Sequence, residues 1–253
     1  MNGRATSVRW QGSFCFLQLN RPEANNAIDA QLVEECASTI ERCRDEATVV
    51  VVEGRPEVFC TGADFKRLAE GGPRGQFDGP EPLYDLWTAL ATGPFVSVAH
   101  VRGKANAGGM GFVAACDIVI ADGTAEFSLS ELLFGLIPAC VLPFLIRKIG
   151  AQRANYLSLM TRPVAVAEAH RWGLVDAWND DDSAGLVRSH LLRLRPLRKV
   201  AIARQKQYLS RLLDDLQSVR AFALQTNRDV FTDPENQELI RRFVESGRFP
   251  WEA

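Results

Sequence analysis

Three short segments of this chain combine residue types and spacings that could do chemistry. Two are glycine turns, each set between a strand-like and a helix-like stretch. One is Phe59-Cys60-Thr61-Gly62-Ala63-Asp64; the other is Gly103-Lys104-Ala105-Asn106-Ala107-Gly108-Gly109-Met110-Gly111. Small residues at such a turn leave backbone N–H groups uncovered at a helix amino terminus, where the dipole favours negative charge. If the two turns converge they make an oxyanion hole; singly, a glycine turn more often only lets helix and strand pack closely. The third segment, Ser128 to Pro138, embeds Glu131 among apolar neighbours. Desolvation there would raise its pKa toward the range useful for proton transfer. The competing reading is an acid in the first turn of a helix behind a serine cap, and spacing alone favours it.

Other chemistries lose their usual support. The three histidines, His100, His170 and His190, lie at metal-ligand spacing neither from one another nor from a cysteine, so a metal centre is not expected. His100 ends an apolar strand and reads as a satisfied core imidazole. There is no G-x-S-x-G elbow and no P-loop. The six cysteines are scattered through apolar runs without a C-x-x-C pair, which suggests small buried hydrophobes in a reducing compartment. With 29 Lys+Arg against 31 Asp+Glu, nothing demands nucleic acid. The longest apolar runs, Ala47 to Val52 and Phe112 to Cys116, are far short of a membrane span of about 20 residues. The amino terminus lacks the pattern of a signal peptide, and the expected location is the cytoplasm.

The elements that must position these segments follow from periodicity. Phe14 to Leu19 reads as a strand; Asp29 caps a helix with apolar residues at Val33, Cys36, Ile40 and Cys43; and Ala47 to Val52 reads as a buried strand. Leu83, Leu86, Trp87 and Leu90 mark a further helix, and Phe95 to Val101, Ile118 to Ala121 and Phe127 with Leu129 mark strands. This alternation predicts crossover units and a largely parallel sheet. Glu70 to Pro80, rich in glycine, is expected to be a mobile surface loop near the site entrance. Beyond Pro138 the pattern is helical: Leu142 to Ile149, Arg153 to Met160, Ala165 to Trp172, Ala184 to Leu194 and Val200 to Phe231.

Taken together, the residues strongly resemble the crotonase (enoyl-CoA hydratase/isomerase) family. Asn20-Arg21-Pro22-Glu23-Ala24-Asn25-Asn26-Ala27, the Cys60 to Asp64 turn, Gly103 to Gly111 followed by Cys116 to Ala121, Glu131 to Pro138, Ala167-Glu168-Ala169 and Trp172 to Asp176 occur in the family's order and span essentially the whole chain. The resemblance implies an α/β fold, a crotonase-like spiral of ββα crossover units with a helical C-terminal region. Its core would cover residues 1–195, and a helical trimerisation region of the same structural unit residues 196–253. The N–H groups of Ala63 and Gly108 would hold the thioester oxygen of an enolate, with Ala24, Gly62, Asp64 and Gly109 lining the substrate. Of the family's two carboxylates, one position is occupied by Gly111 and the other by Glu131. That weakens ordinary enoyl-CoA hydration, in which the pair positions a water.

A narrower resemblance carries further. Val101 to Lys104 with Asn106 to Gly109, Ser128 to Gly135 with Pro138 to Arg147, and the ending Phe249-Pro250-Trp251-Glu252 are similar to the dehydratases of polyketide β-branching cassettes. The resemblance implies removal of water from a 3-hydroxy-3-methylglutaryl group on an acyl carrier protein, giving the 3-methylglutaconyl thioester. Glu131 would move the proton as base, acid or both, with Asp64, Tyr84 and Asn106 as weaker candidates for assisting. No cofactor is implied beyond the phosphopantetheine of the carrier protein or of CoA. A homo-trimer or hexamer is expected, with no nucleic-acid or membrane partner. Two alternatives stay open: a CoA-thioester hydratase of catabolism and a non-catalytic binding protein of the same fold. Arg188, Arg193, Arg195, Arg198, Lys199, Arg204 and Lys206 form a candidate docking patch for an acidic carrier, or else a solvated helix face.

Overall fold

In a computed structural model, residues 3–70, 79–213 and 215–252 are described. The expected loop from Glu70 to Pro80 falls mostly on residues 71–78, outside the described residues. Strands β1 (Thr6–Gln11) and β2 (Phe14–Leu19) form an antiparallel hairpin through Gly12, whose φ is +59°. Helix α1 (Ala30–Glu46) begins at Asp29, whose side chain accepts from the Leu32 N–H over 2.9 Å, and buries Val33, Cys36, Ile40 and Cys43. Next come β3 (Val49–Glu53), β4 (Val58–Cys60), α2 (Phe65–Glu70), α3 (Glu81–Thr92), β5 (Val96–Val101) and β6 (Lys104–Asn106). They are followed by α4 (Gly108–Ala115), β7 (Ile118–Asp122), β8 (Glu126–Ser128) and a 3₁₀ turn at Glu131–Phe134. The rest comprises α5 (Leu142–Met160), β9 (Val164–Ala165), α6 (Val166–Arg171), β10 (Ala177–Asn179), α7 (Ser183–Leu194), α8 (Lys199–Leu213), α9 (Arg220–Thr232) and α10 (Pro234–Ser246).

Among the described residues the strands form two sheets. The larger has the order β1-β2-β3-β5-β7-β10 and is parallel from β2 onward. In β3 every valine is buried because both faces are covered, as parallel sheets require. Val50 and Val52 join the main core with Leu32, Ile40, Trp87 and Phe112, while Val49 and Val51 pack with Val187 and Leu191 of α7. The smaller sheet has the order β4-β6-β8-β9, with β4, β6 and β8 mutually parallel. Its three parallel strands run directly into the two glycine turns and the Glu131 segment. Adjacent parallel strands end on the same edge, so chain segments far apart in sequence are delivered side by side.

Three expectations need correction. Val200 to Phe231 is not one helix: it divides into α8 and α9 at Leu216, which is buried, its carbonyl accepting from the Tyr84 hydroxyl over 2.8 Å. Strands β9 and β10 follow Pro138, too short to show a period. Helix α10, unforeseen, starts where the Asp233 side chain accepts from the Glu235 and Asn236 N–H groups, with Pro234 at its first position. Its Phe243 meets Phe134 edge-on at 5.1 Å, and Phe134 meets Phe65 of α2 at 5.2 Å. The end of the chain thus folds back over its own Glu131 segment.

Candidate active site

The two glycine turns touch. A Cβ on Gly62, which has φ of +90°, would stand 2.7 Å from Ala107 Cβ and 3.1 Å from Gly108 N. One on Gly109 would stand 2.4 Å from the Cys60 carbonyl oxygen, so glycine is what lets α4 lie directly on β4. The turn before α4 is itself strained: Ala107 has φ +49° and ψ −122°, a region costly for any residue with a Cβ. The reward is orientation. Gly108 N, the first of helix α4, points away from its own helix, and among the described residues neither it nor Ala63 N finds an acceptor. Two free donors at two helix starts within one contact is the geometry of an oxyanion hole.

A buried charge network fixes the first turn. Arg21 donates to Asp64 over 3.0 Å, lies 3.1 Å from Asp29 and also donates to the Ala27 carbonyl. Asn26 donates to the carbonyls of Val58 and Phe59, while the N–H of Ile28 donates to Gly62 O and that of Asp64 to Ile28 O. Ala24 belongs to the same stretch, in a 3₁₀ turn whose next residue, Asn25, accepts from the Thr61 hydroxyl. The second turn is tied to the Glu131 segment: Ala107 N donates to Ser128 O, and Asn106 donates to the Ser130 hydroxyl over 2.9 Å.

Glu131 is buried, and its Oε2 has no partner among the described residues. Burial raises its pKa to about 7, against the weaker opposing pull of the Glu131 and Ser130 N–H groups. Ser130 makes no side-chain cap. Glu131 does stand at a helix start, as the first residue of the 3₁₀ turn, but without a serine cap, and it is desolvated there as well. At Gly111, where the sequence resemblance implies a second acid, a Cβ would stand 2.4 Å from the Trp87 ring. No carboxylate fits there without moving the indole.

The assisting candidates are otherwise occupied. Asp64 pairs with Arg21 and accepts from Arg67 N; Asn106 is spent on Ser130 and Ser128; Tyr84, wholly buried, gives its proton to Leu216 and has its pKa pushed to about 12 by burial. His100 is a buried imidazole bonded through Nε2 to the Ser183 hydroxyl. All six cysteines are buried and free. The proposed basic patch shrinks: Lys206 is buried against Asp117 at 2.7 Å and the carbonyls of Leu90 and Phe95, and Lys199 donates to Cys43 and Ala47. These partners sit where α1 and α3 end and the strands begin, the end of the large sheet opposite to where its strands run out. Among the described residues no helix is long and apolar enough to cross a membrane. What sequence reasoning did not assign is the part that Asn26, Arg21 and Asp29 play in fixing the first turn, since Arg21 and Asn26 enter there only within the resembling motif and Asp29 only as a helix cap, and the packing of Trp87 against Gly111.

Comparison with known proteins gives the family. The family model described as enoyl-CoA hydratase/isomerase matches residues 9–253. The bacillaene synthase dehydratase PksH of Bacillus subtilis is 57% identical over 248 residues, 97% of this chain and 95% of that protein. The crystal structure of a putative polyketide biosynthesis enoyl-CoA hydratase (pksH) from Bacillus subtilis superposes with a TM-score of 0.94 at 54% identity, covering 98% of this chain and all of that one. A probable enoyl-CoA hydratase of Mycobacterium leprae is 34% identical over 63% of this chain and 62% of its own length.

Proposed function

Since the chain belongs to the enoyl-CoA hydratase/isomerase family, the crotonases, we propose that it is a dehydratase of polyketide biosynthesis. It converts a 3-hydroxy-3-methylglutaryl thioester on an acyl carrier protein to the 3-methylglutaconyl thioester. The observation that carries this reading is 57% identity to a bacillaene synthase dehydratase over 97% of the chain. A buried carboxyl at Glu131 whose Oε2 has no partner among the described residues, and an indole against Gly111, support it. The acyl group would arrive on the carrier's phosphopantetheine arm, with no other cofactor.

The N–H groups of Ala63 and Gly108 hold the thioester oxygen. Glu131 begins ionised and takes the proton from C2; the C–H electron pair moves into the enolate, whose charge rests on the oxygen held by the two donors. The enolate then collapses, the C2=C3 bond forms, the C3–O bond breaks, and Glu131 returns its proton to the departing hydroxyl as water. One residue serves both steps, and its pKa near 7 suits both directions of transfer. Gly62 and Gly109 let the two turns close on each other, Asp64 holds the first turn in place through Arg21, and Ala24 lines the substrate in this reading. Assembly into trimers or pairs of trimers is part of the proposal; it is supported by exposed apolar side chains on α8 and α9, among them Leu212 and Phe222.

The test is turnover of one acyl group on CoA and on carrier protein. Dehydration with clear preference for the carrier supports the reading. Preference for CoA points to a catabolic hydratase, and no turnover of either to a binding protein.

A further inference from the structure

The 3₁₀ turn that begins with Glu131 closes at Gly135, where the backbone turns left-handed with φ of +72°. Two N–H groups grip the Glu131 carbonyl from that end: those of Gly135 and of Leu136, the latter over 3.1 Å. The Gly135–Leu136 peptide group is trans, so its carbonyl points away from its N–H. That carbonyl accepts from the Asn236 side-chain amide over 3.1 Å, and the same amide donates to the Val230 carbonyl over 2.9 Å. One peptide group thus joins the Asn236 side chain to the main chain of Glu131. A Cβ on Gly135 would collide with Asn236 Oδ1, so glycine meets both the left-handed turn and the close approach of the amide. Asn236 is held in its turn: it is the third residue of α10, its own N–H donates to Asp233 Oδ1 over 3.2 Å, and Ile240, one turn further along, packs with Phe134 and Leu136.

We propose that Asn236 is a positioning residue for Glu131: by donating to the Gly135 carbonyl it fixes the peptide group that grips the Glu131 main chain, and so sets the direction of the carboxyl. The inference rests on the dehydratase reading of the Ala63, Gly108 and Glu131 site. A hydrogen bond accepted by a peptide carbonyl polarises the group and strengthens its N–H as a donor, so the Asn236 contact tightens the Leu136 contact to Glu131. Packing of Phe134 on Phe243 presses the turn against α10 but carries little direction. The amide supplies the direction. In the proposed reaction the Glu131 carboxyl meets C2 and the departing oxygen in turn, so a small rotation of its main chain misaligns both transfers. Asn236 touches no reacting atom and acts through Glu131 alone.

The experiment is steady-state dehydration of the carrier-bound 3-hydroxy-3-methylglutaryl group by wild type, Asn236→Ala and Asn236→Asp, each variant alone and combined with Glu131→Gln. Aspartate keeps the shape and suits the first turn of α10 but cannot donate, so it separates the hydrogen bond from helix stability. Both variants should lose about tenfold in kcat with KM little changed, and should cost nothing further once Glu131 is glutamine. With Asn236→Ala the rise of kcat/KM near pH 7 should move to lower pH, because a loosened turn lets water reach the Glu131 carboxyl. Wild-type kcat in both variants overturns the inference. So does a loss that persists undiminished beside Glu131→Gln, or one confined to KM; either leaves the dehydratase reading intact. Should Asn236→Ala fail to fold, Asn236→Asp gives the same kinetic readings. If the wild type does not dehydrate the substrate, the dehydratase reading fails and carbon-13 titration of the Glu131 carboxyl decides: a midpoint lowered by Asn236→Ala upholds the positioning role, and an unchanged one overturns it.

Discussion

Asn106 and Ser130 are bonded side chain to side chain over 2.9 Å, joining the residue two before Gly108 to the residue just before Glu131. The same amide accepts from Ser128 over 2.8 Å. The glycine turn and the carboxylate, which in the proposed mechanism act on neighbouring atoms of one substrate, are thereby held as one piece. Asn106→Ala should lower kcat about tenfold or more while changing KM little, because donors and base lose their mutual alignment while the binding surface stays. Steady-state kinetics on the folded variant checks this; an unchanged kcat would make the link structurally idle.

Glu131 gives the protein a pH signature. Its pKa is near 4.5 when unfolded and about 7 when folded, so between these values the folded state retains a proton that the unfolded state has lost. The unfolded state then binds fewer protons, and stability falls as pH rises from about 4.5 to about 7, by roughly 3 kcal/mol in total. Above pH 7 this contribution is flat. Denaturant titrations from pH 5 to 8 should show the decline in wild type and not in Glu131→Gln. The same ionisation should make kcat/KM rise with pH through about 7, because the proposed reaction begins with the carboxylate.

Backbone donors resist side-chain mutagenesis, so Gly108 needs a paired test. A Cβ there would meet only the flexible Ile28 Cδ1 at 2.9 Å, with Gly62 Cα at 3.6 Å, so Gly108→Ala keeps the N–H at modest steric cost. Gly108→Pro deletes the donor at the first position of a helix, where proline is tolerated. The proline variant should lose about 10²–10³-fold in kcat and the alanine variant far less. Circular dichroism confirms that both are folded. Equal losses would mean that packing, not the donor, matters at this position.

Much of this arrangement is legible in the sequence, because the segments that matter are local. The Asp29 cap and the Val33, Cys36, Ile40, Cys43 spacing specify α1 by themselves, and the glycine turns announce close approach. What is not legible is convergence. Only the pairing of β4, β6 and β8 brings Ala63, Gly108 and Glu131 together, and only packing strips solvent from Glu131, a residue that spacing alone assigns to a helix start. Lys206, one residue of the basic run from Arg188, misleads for the same reason: it faces inward to Asp117, and a linear sequence does not show which way a helix turns. The α10 start signal, Asp233-Pro234, is present in the sequence but follows a long helical pattern that hides it.

The most direct measurement is the intact mass of an acyl carrier protein loaded with the 3-hydroxy-3-methylglutaryl group, followed in time with wild-type protein and with Glu131→Gln. Wild type should remove one water per acyl group, and the glutamine variant, folded to the same extent, should do so at least about 10²-fold more slowly. Water loss at the wild-type rate with Glu131→Gln would contradict the assignment of proton transfer to this residue. A carrier-bound acyl group left unchanged by the wild type would contradict the proposed function itself.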